Sequence, residues 1–287
     1  MRIDLITEIE NRRNDMSRGQ KRIADFILEN YQQAAYMTTV QLGMAADVSE
    51  STVVRFAHAM GYQGYPEFQQ AFLEVVKNKL TAVQRMEVTN RLIGDGDVLC
   101  KVLASDMQKI KRTLEETKRE SFNRVVDMLI RARNVYIIGV RSSNVLAQFL
   151  SLNLRMILDS VHPIDASSSG ELFEQIMDMG RDDVLFAISF PRYSARVVRA
   201  VKFAQRSGAT VVSLTDNPSS PIARGADEVL YAYSDMASYV DSLVAPLSLL
   251  DAILVAITKK CPEQAAQHLN RLEQLWDEYE VYDKNKS

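Results

Sequence analysis

Residues 37–72 read MTTVQLGMAADVSESTVVRFAHAMGYQGYPEFQQAF, the pattern of two short helices joined by a tight turn. Thr38 or Thr39 can cap a helix over 40–47, because a hydroxyl there accepts an orphan backbone N–H. Leu42, Ala45 and Ala46 supply its apolar side, and Gly43 leaves room for a second helix to cross closely. Asp47-Val48-Ser49 forms the turn. Aspartate tolerates the left-handed backbone such a turn needs, though less readily than glycine. Ser49 caps a second helix over 50–60, where Val53, Phe56, Ala57 and Met60 recur at helical spacing. Glu50, Ser51, Thr52 and Arg55 then share the outer face, with Ser49 at its start. In a helix-turn-helix that face enters the DNA major groove. In an ordinary helical hairpin it is only solvated, and spacing alone leaves both readings open.

The specific residues narrow the choice. The run resembles the N-terminal domain of RpiR-type transcriptional regulators, which read VS-x-x-TV-x-RF and then LG-x-x-GY-x-EF. Val48-Ser49, Thr52-Val53, Arg55-Phe56, Met60-Gly61, Gly64-Tyr65 and Glu67-Phe68 match it. Asp47 replaces the usual glycine and Met60 the usual leucine.

Composition sets the frame. At 287 residues, 47% apolar and 25% charged, the chain fits roughly two globular domains. No run of about 18 apolar residues is present, so no membrane span is expected. The opening MRIDLITEIENRR lacks the apolar centre of a signal peptide. Cys100 and Cys261 have no metal-ligand spacing and point to a reduced, cytoplasmic setting. Three scattered histidines argue against a metal centre, and no cofactor motif is present. The net charge of −3 is not the signature of a protein that coats nucleic acid. Local patches, however, are what touch phosphates, and Arg12, Arg13, Arg18, Lys21 and Arg22 fall within eleven residues.

A first helix is expected over 2–15, with Ile3, Ile6 and Ile9 inward, and a second over 18–30, capped by Ser17, with Ile23, Phe26 and Ile27 inward. Arg18, Lys21 and Arg22 lie on the polar face of the second. They form either a solvated face or a grip on the sugar-phosphate backbone beside the reading helix. A further helix runs from 67 to about 84, and residues 81–96, ending in the breaker Gly94-Asp95-Gly96-Asp97, form a joint. Asp97 caps a long helix over 98–118 striped by Leu99, Val102, Leu103, Met107, Ile110 and Leu114. Such a stripe packs on its own domain or on a partner.

From residue 122 strands alternate with helices: strands at 135–138, 161–164, 184–189 (after Asp182-Asp183), 210–215 and 228–231, helices between them, a long apolar helix at 240–258 and a last one at 262–282. This order predicts a mainly parallel five-stranded sheet with helices on both faces. The expected fold class is an all-α helix-turn-helix domain followed by a three-layer α/β/α domain. The expected divisions are 1–80, a linker and long helix at 81–121, the sheet domain at 122–262, and a C-terminal helix and tail at 263–287.

Ligands of open parallel sheets bind outside the carboxyl ends of the strands. The first strand ends in Gly139-Val140-Arg141-Ser142-Ser143, the third in Ser189-Phe190-Pro191-Arg192-Tyr193-Ser194, the fourth in Thr215-Asp216-Asn217-Pro218. Serines at helix starts can be plain caps. An arginine in each of two loops adds a bidentate grip for phosphate or carboxylate. This half resembles a sugar isomerase (SIS) domain, the phosphosugar-binding fold, whose members show G-x-G-x-S after the first strand and S-x-S-G-x-S/T after a later one. Gly139, Ser143, Ser189 and Ser194 keep the outer positions, while Arg141, Pro191 and Arg192 replace small ones. The resemblance implies that Gly139, Arg141, Ser142, Ser143, Ser189, Arg192 and Ser194 line a site for a phosphosugar or related anionic sugar metabolite. An extra carboxylate on the ligand would account for the added arginines.

Both resemblances together imply a transcriptional regulator of carbohydrate-metabolism genes, not an enzyme, binding palindromic operator DNA as a homodimer or homotetramer. Two alternatives remain. One is a sugar-phosphate isomerase with an accessory helical domain, for which Glu171 and His162 are the candidate bases. The other is an effector-free DNA-binding protein whose sheet domain only dimerises.

Overall fold

The computed structural model describes residues 5–282 apart from 95 and 237. The chain divides into two compact units, residues 1–96 with the segment 238–240, and residues 97–237 with 241–287. The expected inward Ile3, Asp95 of the expected breaker and the tail at 283–287 lie outside the described residues.

Unit one is helical: α1 (Leu5–Arg12), a 3-10 turn, α2 (Arg18–Ala34), α3 (Thr39–Ala45), α4 (Glu50–Ala59), α5 (Tyr65–Lys79) and α6 (Ala82–Ile93). Ser17 and Gln20 cap α2 reciprocally, as Thr38 and Gln41 cap α3 and Thr81 and Gln84 cap α6. Ile9, Ile23, Ile27, Leu42, Val53, Phe56 and Phe68 are fully buried. Phe68 meets Phe56 edge-on at 5.4 Å and stacks on Phe72 at 5.7 Å.

Several expectations are corrected here. Leu5 rather than Ile6 shares the core with Ile9, and Phe26 is only half-buried. Ala45 faces solvent. The Ser49 hydroxyl does not cap α4; it bonds the hydroxyls of Ser51 and Thr52, each at 2.9 Å. α5 stops at Lys79 because Leu80 turns extended, and most of the stretch expected as a joint is the helix α6.

Unit two holds α7 (Val98–Glu116), α8 (Arg119–Arg131), β1 (Val135–Gly139), α9 (Ser142–Leu154), β2 (Val161–Pro163), α10 (Ser169–Ile176), β3 (Val184–Ile188), α11 (Ala195–Ser207), β4 (Thr210–Thr215), β5 (Glu228–Tyr231), α12 (Val244–Lys260) and α13 (Pro262–Glu278). The five strands pair in parallel in the order β2-β1-β3-β4-β5. β1 and β3 are buried at every position, which is why they read as continuous apolar runs. One core joins α8, α9 and α12 to one face of the sheet; the other joins α10 and α11 to the opposite face.

α7 turns its polar side to this unit. Lys109 is buried and donates to Ser105 (2.9 Å) and Asp106 (3.1 Å); Asp106 also accepts from Ser242 (2.7 Å). Thr113 accepts from the Tyr233 backbone N–H (3.0 Å), and Arg112 stacks 3.8 Å from the Tyr233 ring centre. The apolar stripe instead points outward, with Leu99, Leu103, Met107 and Leu114 all more than half exposed.

Candidate DNA-reading face and anion crevice

In unit one the turn between α3 and α4 sets the geometry. Asp47 takes φ 49°, and a Cβ on Gly43 would stand 3.0 Å from the Val48 carbonyl, so the helices cross at close range. α2 crosses α4 just as closely: a Cβ on Gly19 would meet the Thr52 methyl at 2.9 Å. Thr52 is therefore half-buried at a helix crossing, while Ser49, Glu50, Ser51 and Arg55 are exposed. Arg55 folds back along α4 toward the Ser51 carbonyl (3.2 Å) and Thr52 hydroxyl (3.4 Å).

The basic run divides its work. Arg12 donates to the Ala59 carbonyl at the end of α4 (3.1 Å), Arg13 pairs with Asp25, and Arg22 pairs with Asp47 at the turn. A phosphate would have to take Arg22 from Asp47. Arg18 is exposed, with no ion pair or side-chain hydrogen bond among the described residues, and Lys21 lies one helical turn on, half-buried.

In unit two the sheet order creates a crevice. β1 and β3 are neighbours up to the Gly139–Ile188 pair. The chain leaves β1 for α9 on one face and β3 for α11 on the other. Their loops therefore part at a topological switch point, where such sheets bind ligands. Of the seven residues expected to line a site, Arg141, Ser189, Arg192 and Ser194 lie on these two loops, while Gly139 ends β1 and Ser142 and Ser143 open α9.

They differ in what they do. Gly139 is there for space: a Cβ would stand 2.2 Å from the Ser143 carbonyl oxygen. Ser143 is buried and Ser142 exposed at the start of α9. The Ser194 N–H donates to the Ser189 hydroxyl (3.2 Å), and the Ser194 hydroxyl caps α11 by accepting from the Arg196 N–H (3.3 Å). Arg141 (φ 59°) and Arg192 (φ 65°) both hold left-handed backbone, a strain of about 1–3 kcal/mol each for a non-glycine residue. Both side chains are exposed at the crevice loops.

One participant escaped the sequence reading. Asp216, at the carboxyl end of β4, accepts from the Tyr193 hydroxyl (2.8 Å) and the Asn217 amide (2.7 Å), bridging the β3 and β4 loops. Burial pushes its carboxyl above the usual aspartate range, and hydrogen bonds from Tyr193, its own N–H, Asn217 and Thr215 offset only part of this. The strand-end acid was visible in the sequence; its partner stands 23 residues away. His162, by contrast, stacks on Tyr136 at 5.1 Å and bonds Ser160, and Glu171 is exposed beyond β2. Among the described residues neither has a hydrogen bond or ion pair to the loops after β1 and β3. Among the described residues no group of three or more His, Cys, Asp or Glu could hold a metal ion.

Residues 3–79 match the helix-turn-helix domain of the rpiR family, and residues 128–256 match the SIS domain. The chain belongs to the RpiR-type transcriptional regulators. HexR of Pseudomonas aeruginosa, an HTH-type transcriptional regulator, is 25% identical over 281 residues, covering 94% of this chain and 95% of its own length. The sugar isomerase domain of an RpiR transcription factor from Sphaerobacter thermophilus is 26% identical, with TM-score 0.59 over 61% of this chain and 97% of that one. The NanR protein of Vibrio vulnificus, solved in complex with ManNAc-6P, shares the fold with TM-score 0.61 and 23% identity over 96% of this chain and 98% of its own. As an RpiR-type regulator the chain carries its DNA-binding helices first and its SIS domain second. Among the described residues no helix is long and apolar enough to cross a membrane.

Proposed function

We propose that this RpiR-type regulator reads operator DNA through α4 and senses a phosphosugar or related anionic sugar metabolite in the β1/β3 crevice, controlling carbohydrate-metabolism genes in the cytoplasm. The observation that carries the sensing assignment is the pair of arginines, one on each side of the switch point, both in backbone that glycine would hold without strain. ManNAc-6P is the ligand of the NanR complex, and it places a phosphosugar first among candidates. HexR, similar over nearly its whole length, is a transcriptional regulator, and among the described residues neither candidate base of the isomerase alternative bonds a crevice loop, so no reaction is assigned.

The test is thermal melting against sugar phosphates, phosphorylated sugar acids and plain sugar acids. A ligand at 100 times its dissociation constant adds about 2.7 kcal/mol, and a hit is then added to an operator-binding titration. No shift from any of them would leave the sheet domain as a dimerisation platform. Arg141→Gly and Arg192→Gly sharpen the test. Relief of left-handed strain should stabilise each variant by up to about 1 kcal/mol. Loss of the guanidinium should weaken the effector by about tenfold or more. A rise in melting temperature together with a fall in affinity marks residues held for binding; a fall in both would assign the arginines to the fold.

A second copy covers α7 in this reading. The stripe Leu99, Leu103, Met107 and Leu114 stays outward while the polar side of the same helix is locked to its own unit, and exposed apolar patches of this kind mark interaction sites. Two reading helices about 34 Å apart then suit a palindrome. Leu103→Glu with Met107→Glu should shift the sedimenting species toward the monomer and weaken operator binding. An unchanged mass would remove α7 from the interface.

A further inference from the structure

Among the described residues Asp216 is the one acid at the carboxyl ends of β1, β3 and β4, where an acid is least expected in an anion site. Its carboxylate is held by Tyr193, the residue between Arg192 and the α11 cap Ser194. Thr215, beside it, donates to the Ser189 carbonyl (2.7 Å) and bonds the Ser220 hydroxyl (2.8 Å). The end of β4 is thus fastened to the loop after β3 at both Ser189 and Tyr193. We propose that Asp216 is a positioning and specificity residue of the effector crevice. Through Tyr193 it fixes the loop that presents Arg192 and Ser194, and its own charge makes capture of an anion accompany uptake of a proton. The proposal rests on the crevice being the effector site.

The electrostatics follow from position. Tyr193, which donates to Asp216, immediately precedes the α11 cap Ser194, and an anion held at that helix start and the Asp216 carboxylate, as like charges, oppose one another. Asp216 bonds Tyr193 from the β3 loop and Thr215 and Asn217 from its own; Ser220 bonds Thr215, Arg192 precedes Tyr193 in the chain, and Arg141 lies on the β1 loop. The remaining acids at the carboxyl ends of the strands, among the described residues, are Asp165 and Glu171 after β2 and Asp235 and Asp241 after β5. The histidines are elsewhere: His162 bonds Ser160, His268 pairs with Asp159, and His58 belongs to unit one. Partial desolvation raises the proton affinity of the Asp216 carboxylate, so it can take up a proton as an anion arrives.

The test uses glucose 6-sulfate, whose charge does not change over the range, titrated calorimetrically into the full chain. Measurements at about pH 5.5 and about pH 8, in buffers of different ionisation enthalpy, read both affinity and protons taken up. The wild type should bind up to about tenfold more tightly at the lower pH and take up a fraction of a proton. Asp216→Asn should lose the pH dependence and the uptake, and bind more tightly than wild type at the higher pH. Tyr193→Phe, which keeps every charge, should bind more weakly at both pH values with its pH dependence intact. A purely structural Asp216 would alter stability in these variants and leave the pH profile alone. Binding by wild type without proton uptake, or an unchanged profile in Asp216→Asn, overturns the proposal and leaves the crevice reading standing. No binding of glucose 6-sulfate at either pH, together with no melting shift from any of the sugar phosphates and sugar acids, removes the crevice reading and the proposal with it.

Discussion

Gly139→Ala should destabilise the SIS domain by about 3 kcal/mol, a drop in melting temperature of roughly 6–12 °C for a unit of this size. A Cβ at residue 139 would lie 2.2 Å from the Ser143 carbonyl oxygen, 2.6 Å from its carbon and 3.1 Å from the Ala147 Cβ. Two of these atoms are backbone in the first turn of α9, so no rotamer change relieves the clash. Either α9 moves from β1, opening the core around Leu146, Leu150 and Leu154, or β1 shifts against β3. Gly139 has no positive φ to protect it, so the whole effect is steric. Gly170→Ala is the matched control, because nothing lies within 4 Å of its Cβ; it should be neutral or slightly stabilising. The same loop follows Gly139, so the surviving folded fraction of Gly139→Ala should also bind effector poorly. Equal melting temperatures for the two variants would show that α9 has slack the packing does not reveal.

The parts of the fold written most plainly in the sequence are those set by local pattern. β4 and β5 take the spans expected of them, and α3 and α4 follow from Thr38, Asp47 and the spacing of Val53, Phe56 and Ala57. Gly139 and the serines of the two crevice segments were legible for the same reason. Long-range pairing was not. Arg22 looks like a phosphate contact until Asp47, 25 residues on, is seen to hold it. Asp216 has no visible role without Tyr193. The inward face of α7 was hidden by chemistry of another kind. Periodicity marks the apolar stripe as the side to bury, but Lys109 is buried instead, its charge met by Asp106 and the Ser105 hydroxyl. α6 was missed because Ala82–Ile93 followed a helix without a glycine or proline to announce the break; the Thr81–Gln84 capping box was the available signal.

Asp183→Ala should cost the SIS domain about 3 kcal/mol, through the opposite end of the same sheet. Asp183 is fully buried. Its carboxylate accepts from Arg133 Nε (3.0 Å) and Nη2 (2.7 Å), from Asn134 Nδ2 (2.9 Å) and from the Gly180 N–H (2.8 Å). Asn134 in turn accepts from Ser160, just before β2 (2.6 Å). One acid thereby aligns the starts of β2, β1 and β3. Removal leaves the Asn134 amide and Gly180 N–H without their acceptor, whereas Arg133 is 57% exposed and can rehydrate. That exposure keeps the cost at the lower end of the range for a broken buried pair. The pH dependence carries the sharper signature. Burial pushes the Asp183 carboxyl up, but the hydrogen bonds from Arg133, Gly180 and Asn134 and the Arg133 charge together bring it below the ordinary aspartate value. A folded-state value below the unfolded one means the stabilisation is complete above about pH 3.9 and is lost as pH falls through the folded-state value. Acid unfolding of wild type should therefore include a component that Asp183→Ala lacks, the two stabilities converging as pH drops. Asp183→Asn separates charge from shape: it keeps the volume but turns an amide toward the Arg133 guanidinium, so it should behave like the alanine variant at neutral pH. If it is instead as stable as wild type there, the Arg133 charge contributes nothing, and the alignment of the three strands rests on the neutral hydrogen bonds alone.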